Sequence, residues 1–391
     1  MVADGQSHQK PYVILVSFDG FRYDYASRFN LPNFRQFIDN GASAEGLIPA
    51  FPSKTFPNHY SIVTGLYPGH HGLVDNNFYD QKLRQRYAMK ERTTVENPDF
   101  YGGTPLWQLA QQQGLRSASF FWVGSEAPVQ GEYPTYYFPY DESVKNEKRI
   151  EQVIAWLTLP EDERPQFISL YFSLVDTEAH KTGTQSGRLE RTLHQADSLL
   201  SKLMSGLKVL NFPVNVIIVS DHGMLELRQQ EQSYITLRDL INVRDSSIII
   251  VNGGTQVHVY HNNPDSLYRV FKTKEKNYRT YKRDDFPSHW HYNHYRTGDI
   301  LLTANPGYYF QAVARNFGSA DYPVFGVHGY DPAEVKEMMG IFYAIGPNIK
   351  SGTRLPAFEN VHVYPLIAKI LGLNPPKTDG DFNVLKPVLK K

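Results

Sequence analysis

Short apolar runs alternate along the chain with segments whose apolar residues recur at the spacing of a helix. The first run, residues 12–18, is rich in β-branched residues and ends at Asp19, which predicts a buried strand followed by a turn. The segment 31–40 is apolar on one side and is followed by Gly41, which predicts an amphipathic helix with a C-terminal glycine. Together they form the first predicted βα unit.

The same alternation continues through the rest of the chain. Thr104 and Pro105 predict the N-cap and the first turn of a helix that ends at Gly114. The pattern also predicts strands over 117–122, 167–174, 215–220 and 341–345 and helices over about 145–157, 188–207 and 359–371. Strands that alternate with helices favour βαβ units, so we expect an α/β fold with a mostly parallel sheet and helices on both faces.

One region departs from this alternation. Over about residues 250–325, alternating polar and apolar residues and many aromatic ones predict an antiparallel edge or a small inserted cap. The chain shows no fixed-period repeat and no low-complexity linker. We therefore expect a single domain over residues 11–387 that contains this cap.

The composition excludes several classes of protein. Of the 391 residues, 41 % are hydrophobic, which is enough to fill a sizeable core and excludes general disorder. Forty Lys and Arg balance forty Asp and Glu, so we expect no stable nucleic-acid complex. The apolar runs are far shorter than the roughly 20 residues that span a bilayer, so we expect no transmembrane segment. Because cysteine is absent, any metal site must use Asp, Glu, His and hydroxyl groups.

Carboxylates follow three of the predicted strands. Asp19 ends the first strand, Asp176 follows the strand at 167–174, and Asp221 follows the strand at 215–220. Ligands of open α/β sheets bind at the carboxyl ends of the strands, so we expect these three acids to converge there. Carboxylates this close together repel one another unless a cation lies among them.

Histidines occur in the same segments as these carboxylates. His180 lies four residues after Asp176, His222 follows Asp221 directly, and His328 precedes a Gly-Tyr-Asp sequence. Three Asp and three His residues without sulfur form the donor set of a paired divalent-metal site, and they favour zinc. A two-metal site is typical of phosphoryl transfer, because it holds the attacking and leaving oxygens on separate cations.

Each signal also has a purely structural interpretation. Asp19 in an Asp-Gly pair is typical of a turn, and the pair Asp176 and His180 would suit a helix start with a surface histidine. Thr55, before a helical stretch at 58–64, is either the N-cap of that helix or a nucleophile that faces an anion at the helix start. The joint placement of the acids and histidines favours the functional interpretation.

Six motifs occur in order between about residues 11 and 375. They are DGFR at 19–22, KTFPNH at 54–59, GLYPGHHG at 65–72, D-x3-H at 176–180, SDHGM at 220–224 and HGYD at 328–331. This set closely resembles the nucleotide pyrophosphatase/phosphodiesterase family of the alkaline phosphatase superfamily, and in particular its stand-alone bacterial type. The resemblance implies an alkaline-phosphatase-like sheet flanked by helices.

The resemblance also implies two zinc ions per chain and a set of site residues. By motif position, one zinc would be held by Asp176, His180 and His328, and the other by Asp19, Thr55, Asp221 and His222. Thr55 would be the nucleophile that forms a covalent threonyl–nucleotidyl intermediate. Asn76 would be a catalytic side chain that binds a non-bridging phosphate oxygen.

The implied activity is hydrolysis of pyrophosphate and phosphodiester bonds in ATP-like nucleotides and dinucleotides, with release of nucleoside 5′-monophosphates. Phe56 and Tyr140 match the positions where nucleotide-cleaving members of the family sandwich the base. Two alternatives stay open: a lipid phosphodiesterase of the same fold, acting on lysophospholipids or glycerophosphodiesters, and a catalytically silent nucleotide-binding relative. The type that the chain resembles is exported, so we expect a periplasmic or secreted enzyme whose signal peptide is removed. The polar start of the chain leaves a cytoplasmic enzyme as the alternative.

Overall fold

The computed structural model describes residues 11–312 and 323–390. Its strands are β1 (Val13–Phe18), β2 (Ala42–Ala44), β3 (Leu47–Ile48), β4 (Asn77–Asp80), β5 (Gln85–Ala88), β6 (Ser117–Phe120), β7 (Tyr136–Phe138), β8 (Phe167–Phe172), β9 (Asn215–Val219), β10 (Leu225–Arg228), β11 (Tyr234–Thr236), β12 (Ile249–Asn252), β13 (Gln256–Tyr260), β14 (Tyr278–Lys282), β15 (Ile300–Ala304), β16 (Tyr309–Gln311), β17 (Val324–Val327), β18 (Phe342–Ile345), β19 (Thr353–Leu355) and β20 (Phe358–Glu359). Its α-helices are α1 (Tyr25–Arg28), α2 (Pro32–Asn40), α3 (Thr55–Thr64), α4 (Pro68–His71), α5 (Arg92–Val95), α6 (Leu106–Gln112), α7 (Asn146–Leu157), α8 (Leu174–Thr182), α9 (Gly187–Lys208), α10 (Leu237–Leu240), α11 (Pro264–Thr273), α12 (Val363–Ile370) and α13 (Phe382–Leu385).

A mixed sheet of eight strands forms the centre of the described structure, in the order β19-β2-β18-β9-β1-β8-β6-β7. The strand β1 pairs in parallel with both β8 and β9, and β6 pairs in parallel with β7 and β8. The strand β18 runs antiparallel to β9 and β2. This sheet confirms the predicted α/β fold with a mostly parallel sheet.

Helices cover both faces of this sheet. Alternate residues of its strands therefore pack in two different cores, one between the sheet and the helices on each face. In β1, Val13 and Leu15 pack in one core with residues of α3, α6 and α12, whereas Ile14 and Val16 pack in another with α2, α7, α8 and α9. All residues of β1, β8 and β9 are buried, which explains why these strands are continuous apolar runs in the sequence. Each fully buried Val, Leu or Ile side chain stabilises the fold by about 1.5–3 kcal/mol.

A second, smaller sheet consists of β12, β13, β15 and β14 in that order, and all its pairs are antiparallel. Its inward residues form a separate core that includes Val257, Val259 and Leu302. This sheet lies in the region for which the sequence predicts an antiparallel edge or cap. The part of that region at 313–322 is outside the described residues, and the division of the chain into domains stays a prediction.

Several element boundaries differ from those predicted. Pro105 occupies the N-cap position of α6 and not its first turn, so the prediction for this residue was wrong by one position. The strand β8 ends at Phe172, because the chain turns at Ser173 into α8, and Asp176 lies in the first turn of that helix. The short strands β2, β7 and β19 have three residues each, too few to show a period of two.

Candidate metal centre

The carboxyl edge of the central sheet brings together residues that are far apart in the sequence. Asp19 follows β1, Asp221 and His222 follow β9, and Asp176 follows β8 by four residues. Since β1 is parallel to both β8 and β9, these strands end at the same edge. Thr55 is the first residue of α3, and Lys54 occupies the N-cap position, so the interpretation of Thr55 as an N-cap was wrong.

One group of ligand atoms surrounds Nε2 of His222. This nitrogen lies 3.0 Å from Oδ2 of Asp221, 3.5 Å from Oδ1 of Asp19 and 3.2 Å from Oγ1 of Thr55. Both carboxylate oxygens are buried and accept no hydrogen bond. These four residues are the set that the family resemblance implies for one zinc ion.

A second group contains the other three predicted ligands. Nε2 of His180 lies 3.2 Å from Nε2 of His328 and 3.3 Å from Oδ1 of Asp176, and that oxygen lies 3.8 Å from Nε2 of His328. Oδ1 of Asp176 is also buried without a hydrogen bond. The rings of His222 and His328 stack with centroids 3.6 Å apart, so the two groups adjoin each other.

Backbone carbonyls fix the tautomer of all three histidines. Nδ1 of His180, His222 and His328 lies 2.7, 2.8 and 2.8 Å from the carbonyl oxygens of Gly326, Gly223 and Ser53, respectively. Because a carbonyl only accepts, each Nδ1 carries a hydrogen and each Nε2 of a neutral ring offers a lone pair. Metal-binding histidines are usually oriented in this way. The lone pairs of His180 and His328 would repel each other at 3.2 Å, so a proton or a cation must lie between them.

The electrostatics of the site favour a cation. Burial, together with the neighbouring carboxylates, raises the pKa of Asp19 and Asp221 well above the usual range. Burial lowers the pKa of His222 to about 3 and that of His328 well below its usual value. The rings of His222 and His328 are thus neutral, and they lie beside two carboxylates, Asp19 and Asp221, whose charged forms are disfavoured. A divalent cation would stabilise the ionised carboxylates, so the donor set fits metal binding.

His180 differs from the other two histidines in its surroundings. Its side chain is 42 % exposed, and Asp176 is its neighbour one helical turn away. Although burial lowers the pKa of His180, the Asp176 carboxylate raises it to about 9. The Nε2 position of His180 therefore attracts positive charge, which either a proton or a metal ion supplies.

Two supporting residues were not identified from the sequence. Tyr171 donates its hydroxyl to Oδ2 of Asp19 at 2.6 Å, which leaves Oδ1 to face His222. His59 donates a hydrogen bond from Nδ1 to the carbonyl of Thr55 at 2.9 Å. Its Nε2 lies 2.8 Å from Oγ of Ser17. The signal that could have selected Tyr171 is its polar hydroxyl in an otherwise apolar strand, because a buried tyrosine hydroxyl needs a partner.

The structure places Asn76 beside the start of α3. Its Oδ1 accepts a hydrogen bond from the backbone N–H of Phe56 at 2.8 Å. The backbone N–H of Asn76 in turn donates to Oδ1 of Asp75 at 2.6 Å. With Oδ1 engaged in this way, Nδ2 is the donor end of the Asn76 amide, next to the residue that follows Thr55.

Of the two predicted base-binding residues, Tyr140 lies beside the Asp19 group and Phe56 directly follows Thr55. The Tyr140 ring lies 6.3 Å from the ring of Tyr171, which binds Asp19, and the Tyr140 side chain is 38 % exposed. Phe56 is partly buried and lies 6.2 Å from the ring of Tyr87. Neither ring is fully buried, so each offers some exposed aromatic surface.

Comparison with known proteins identifies relatives over nearly the whole chain. The family model for type I phosphodiesterase / nucleotide pyrophosphatase matches residues 13–331. A venom phosphodiesterase of Crotalus durissus collilineatus is 36 % identical over 394 residues, which cover 97 % of this chain and 46 % of that protein. Human ectonucleotide pyrophosphatase/phosphodiesterase family member 1 is 34 % identical over 398 residues, covering 98 % of this chain and 42 % of that protein. The chain therefore spans about half the length of the curated relatives that it matches.

Solved structures resemble the whole fold. Murine ectonucleotide pyrophosphatase/phosphodiesterase 5, an inactive threonine-to-alanine variant in complex with AMP, has a TM-score of 0.89 and 29 % identity, covering 97 % of this chain and 100 % of that one. The human protein of the same name has a TM-score of 0.89 and 29 % identity, covering 98 % of this chain and 100 % of that one. These matches confirm the predicted fold class. Among the described residues, no helix is both long and apolar enough to cross a membrane.

Proposed function

The chain belongs to the type I phosphodiesterase/nucleotide pyrophosphatase family, and we propose that it hydrolyses nucleotide pyrophosphate and phosphodiester bonds and releases nucleoside 5′-monophosphates. One observation carries this proposal: Thr55 Oγ1 lies 3.2 Å from Nε2 of His222, beside two groups of acidic and imidazole side chains whose ligand atoms lie within 4.8 Å of one another, and His180 adjoins them 3.2 Å from His328. The sequence and fold similarity to phosphodiesterases supports it.

Two zinc ions are the cofactor that we propose for this site. Asp19, Thr55, Asp221 and His222 would hold one ion, and Asp176, His180 and His328 would hold the other. Three buried carboxylate oxygens without a hydrogen bond and three Nε2 lone pairs support this assignment. When bound, zinc neutralises phosphate charge and lowers the pKa of a hydroxyl that it contacts.

Thr55 is the residue that we propose as the nucleophile. Its Oγ1–H bond breaks and the proton passes to solvent, while an Oγ1–P bond forms and the bond from phosphorus to the leaving oxygen breaks. The leaving group takes up a proton from solvent where its pKa requires one. Water then breaks the Oγ1–P bond, which releases the nucleoside 5′-monophosphate and restores the threonine hydroxyl. The inactive threonine-to-alanine relative supports this role.

Asn76 and two aromatic residues complete the proposed site. Because Oδ1 of Asn76 is held by the N–H of Phe56, its Nδ2 can donate to a non-bridging phosphate oxygen. Phe56 and Tyr140 offer partly exposed rings on which a base can stack. The AMP complex of a structural relative supports a nucleotide as the bound group.

Export from the cytoplasm is also a proposal, and the venom and ectonucleotide names of the relatives support it. The resemblance to a stand-alone bacterial type stays a prediction.

The proposed function is tested with two chromogenic substrates that release the same nitrophenolate. We expect rapid hydrolysis of the p-nitrophenyl ester of thymidine 5′-monophosphate and much slower hydrolysis of p-nitrophenyl phosphate. A chelator should abolish the first reaction, and added zinc should restore it. A preference for the monoester, or full activity after the metal has been removed, would contradict the proposal. Hydrolysis of lysophospholipids in preference to nucleotides would favour the lipid phosphodiesterase instead.

A further inference from the structure

A cavity of about 530 Å³ adjoins the metal centre on the side of His180 and His328. Neither the proposed nucleophile nor the two proposed base-binding residues line it. Its walls include three aromatic and three amide side chains: Tyr234, Tyr309, Phe325, Gln229, Asn252 and Gln311. We propose that this cavity, named here the leaving-group cavity, binds an uncharged nucleoside on the leaving side of a dinucleotide substrate. The proposal rests on the phosphodiesterase function proposed above.

The position of the cavity fits the leaving side of the reaction. Thr55 Oγ1 lies 3.2 Å from His222, the His222 ring stacks on His328 at 3.6 Å, and His328 lines the cavity. Thr55 thus belongs to the group around His222, whereas His180 and His328, of the other group, line the cavity. In an in-line displacement, the leaving group departs opposite to the attacking oxygen. A leaving group would thus move from the metal centre toward this cavity.

Three aromatic rings give the cavity a surface for a planar heterocycle. The ring centroids of Tyr234 and Tyr309 are 6.3 Å apart, and Phe325 lies 6.0 Å from each of them. A base can stack on such rings whatever its hydrogen-bonding pattern. These rings therefore favour a nucleoside over a compact inorganic group.

Gln311 supplies a polar group that lacks a partner. Its side chain is only 6 % exposed, and Nε2 donates to Oγ1 of Thr236 at 3.1 Å. Its Oε1 is buried and accepts no hydrogen bond. Buried polar atoms are rarely left without a partner, so an N–H or O–H group of a bound ligand would complete this site.

Beyond Lys54, and His180 where the cavity joins the metal centre, the described lining residues offer no positive charge for an anionic leaving group such as pyrophosphate. Among the described lining residues, the one Lys or Arg is Lys54, and no Asp or Glu is present. Lys54 Nζ already donates to the carbonyls of Gly253 at 2.8 Å and His328 at 3.1 Å. Amide and aromatic groups without further Lys or Arg suit a neutral nucleoside with hydroxyl and amino groups.

The test compares two substrates that transfer the same adenylyl group to the enzyme. Adenylyl-(3′→5′)-adenosine releases a nucleoside on the leaving side, whereas ATP releases pyrophosphate. We expect Tyr309→Leu and Gln311→Leu each to lower kcat/KM for the dinucleotide about tenfold or more. For ATP, the kcat/KM of both variants should stay within about twofold of the parent value. Tyr268→Leu is the matched control and should change neither value, because Tyr268 lies on α11, packs against the core of the small sheet and does not line the cavity.

Binding provides a second readout that does not depend on turnover. In protein carrying Thr55→Ala, calorimetry should show that adding Tyr309→Leu weakens binding of the dinucleotide and leaves binding of AMP unchanged. Equal losses for both substrates, or no loss for the dinucleotide, would overturn the leaving-group cavity while the phosphodiesterase function stands. Failure of the parent enzyme to hydrolyse any nucleotide would overturn both proposals.

Discussion

Replacing Tyr171 by Phe should weaken metal binding and leave the fold unchanged. The Tyr171 hydroxyl donates to Oδ2 of Asp19 at 2.6 Å, and Oδ1 of the same carboxylate faces Nε2 of His222 at 3.5 Å. The hydrogen bond thus fixes the orientation of the carboxylate and stabilises its charged form. Because Phe differs from Tyr by the hydroxyl alone, the contact of this ring with the His59 ring at 5.1 Å is kept.

The size of the effect follows from the type of bond that is lost. A hydrogen bond to a charged group contributes about 1.5–3 kcal/mol, which corresponds to a factor of about 10–150 in an equilibrium constant. Mutation of residues that support metal ligands typically lowers metal affinity about 10- to 100-fold. We therefore expect Tyr171→Phe to raise the zinc dissociation constant about 10- to 100-fold. At saturating zinc, kcat should recover to within about tenfold of the parent value.

The assay titrates metal-free protein with zinc in competition with a chromophoric chelator, and it follows nucleotide hydrolysis at each free zinc concentration. Tyr25→Phe is the matched control, because Tyr25 is fully buried and its hydroxyl makes no hydrogen bond. This control should leave zinc affinity unchanged. An unchanged affinity in Tyr171→Phe, or an equal change in Tyr25→Phe, would refute the role assigned to the Tyr171 hydroxyl.

Four further predictions concern single residues. Thr55→Ala should lower kcat by more than about 10³-fold while the melting temperature stays close to that of the parent, and a near-normal rate would contradict its role as nucleophile. Asn76→Ala should lower kcat about 10²- to 10³-fold, measured under zinc saturation, because one donor to the phosphate is lost. Phe56→Ala and Tyr140→Ala should raise KM for nucleotide diesters about fivefold or more and change KM for small aryl diesters little; equal changes would indicate a structural role. Burial lowers the pKa of His71 to about 3, so its contribution to stability is present above about pH 6.5 and is lost as the pH falls toward 3. Urea unfolding at pH 7.5 and 5 should therefore show a loss about 2 kcal/mol larger in the parent than in His71→Gln, and equal losses would contradict this linkage.

Burial on both faces made the central strands predictable from the sequence. The strands β1, β8 and β9 are continuous apolar runs because their alternate residues enter two different cores. The three-residue strands β2, β7 and β19 could not be predicted, since three residues show no period. Their pairing depends on neighbours that are distant in sequence, such as β18 for β2.

The residues of the candidate site also fall into those that the sequence predicts and those that depend on the tertiary structure. Asp19 and Asp221 could be selected from the sequence, because each lies just after a predicted apolar strand and ligands bind at the carboxyl ends of such strands. The hydroxyl of Tyr171 indicates only that this residue needs a partner, and the identity of that partner, Asp19, depends on the tertiary structure. Gln311 could not be selected, because its unpaired Oε1 is visible in the tertiary structure alone. Thr55 shows a third case: the sequence left N-cap and nucleophile open, and the structure assigns the N-cap position to Lys54.

The balance of charge in the proposed centre gives a physical reason for a diester substrate. Burial keeps His222 and His328 neutral, so their rings can stack at 3.6 Å, whereas two imidazolium rings would repel each other. The negative charge then comes from three aspartates, Asp19, Asp176 and Asp221. Two zinc ions would bring four positive charges, of which the aspartates offset three. Within this set of two zinc ions and three aspartates, a phosphodiester with one negative charge would balance the charge, while a monoester dianion would leave one negative charge for Lys54 to offset. Lys54 is the one Lys or Arg among the described residues that line the adjoining cavity, and its Nζ already donates to the carbonyls of Gly253 and His328.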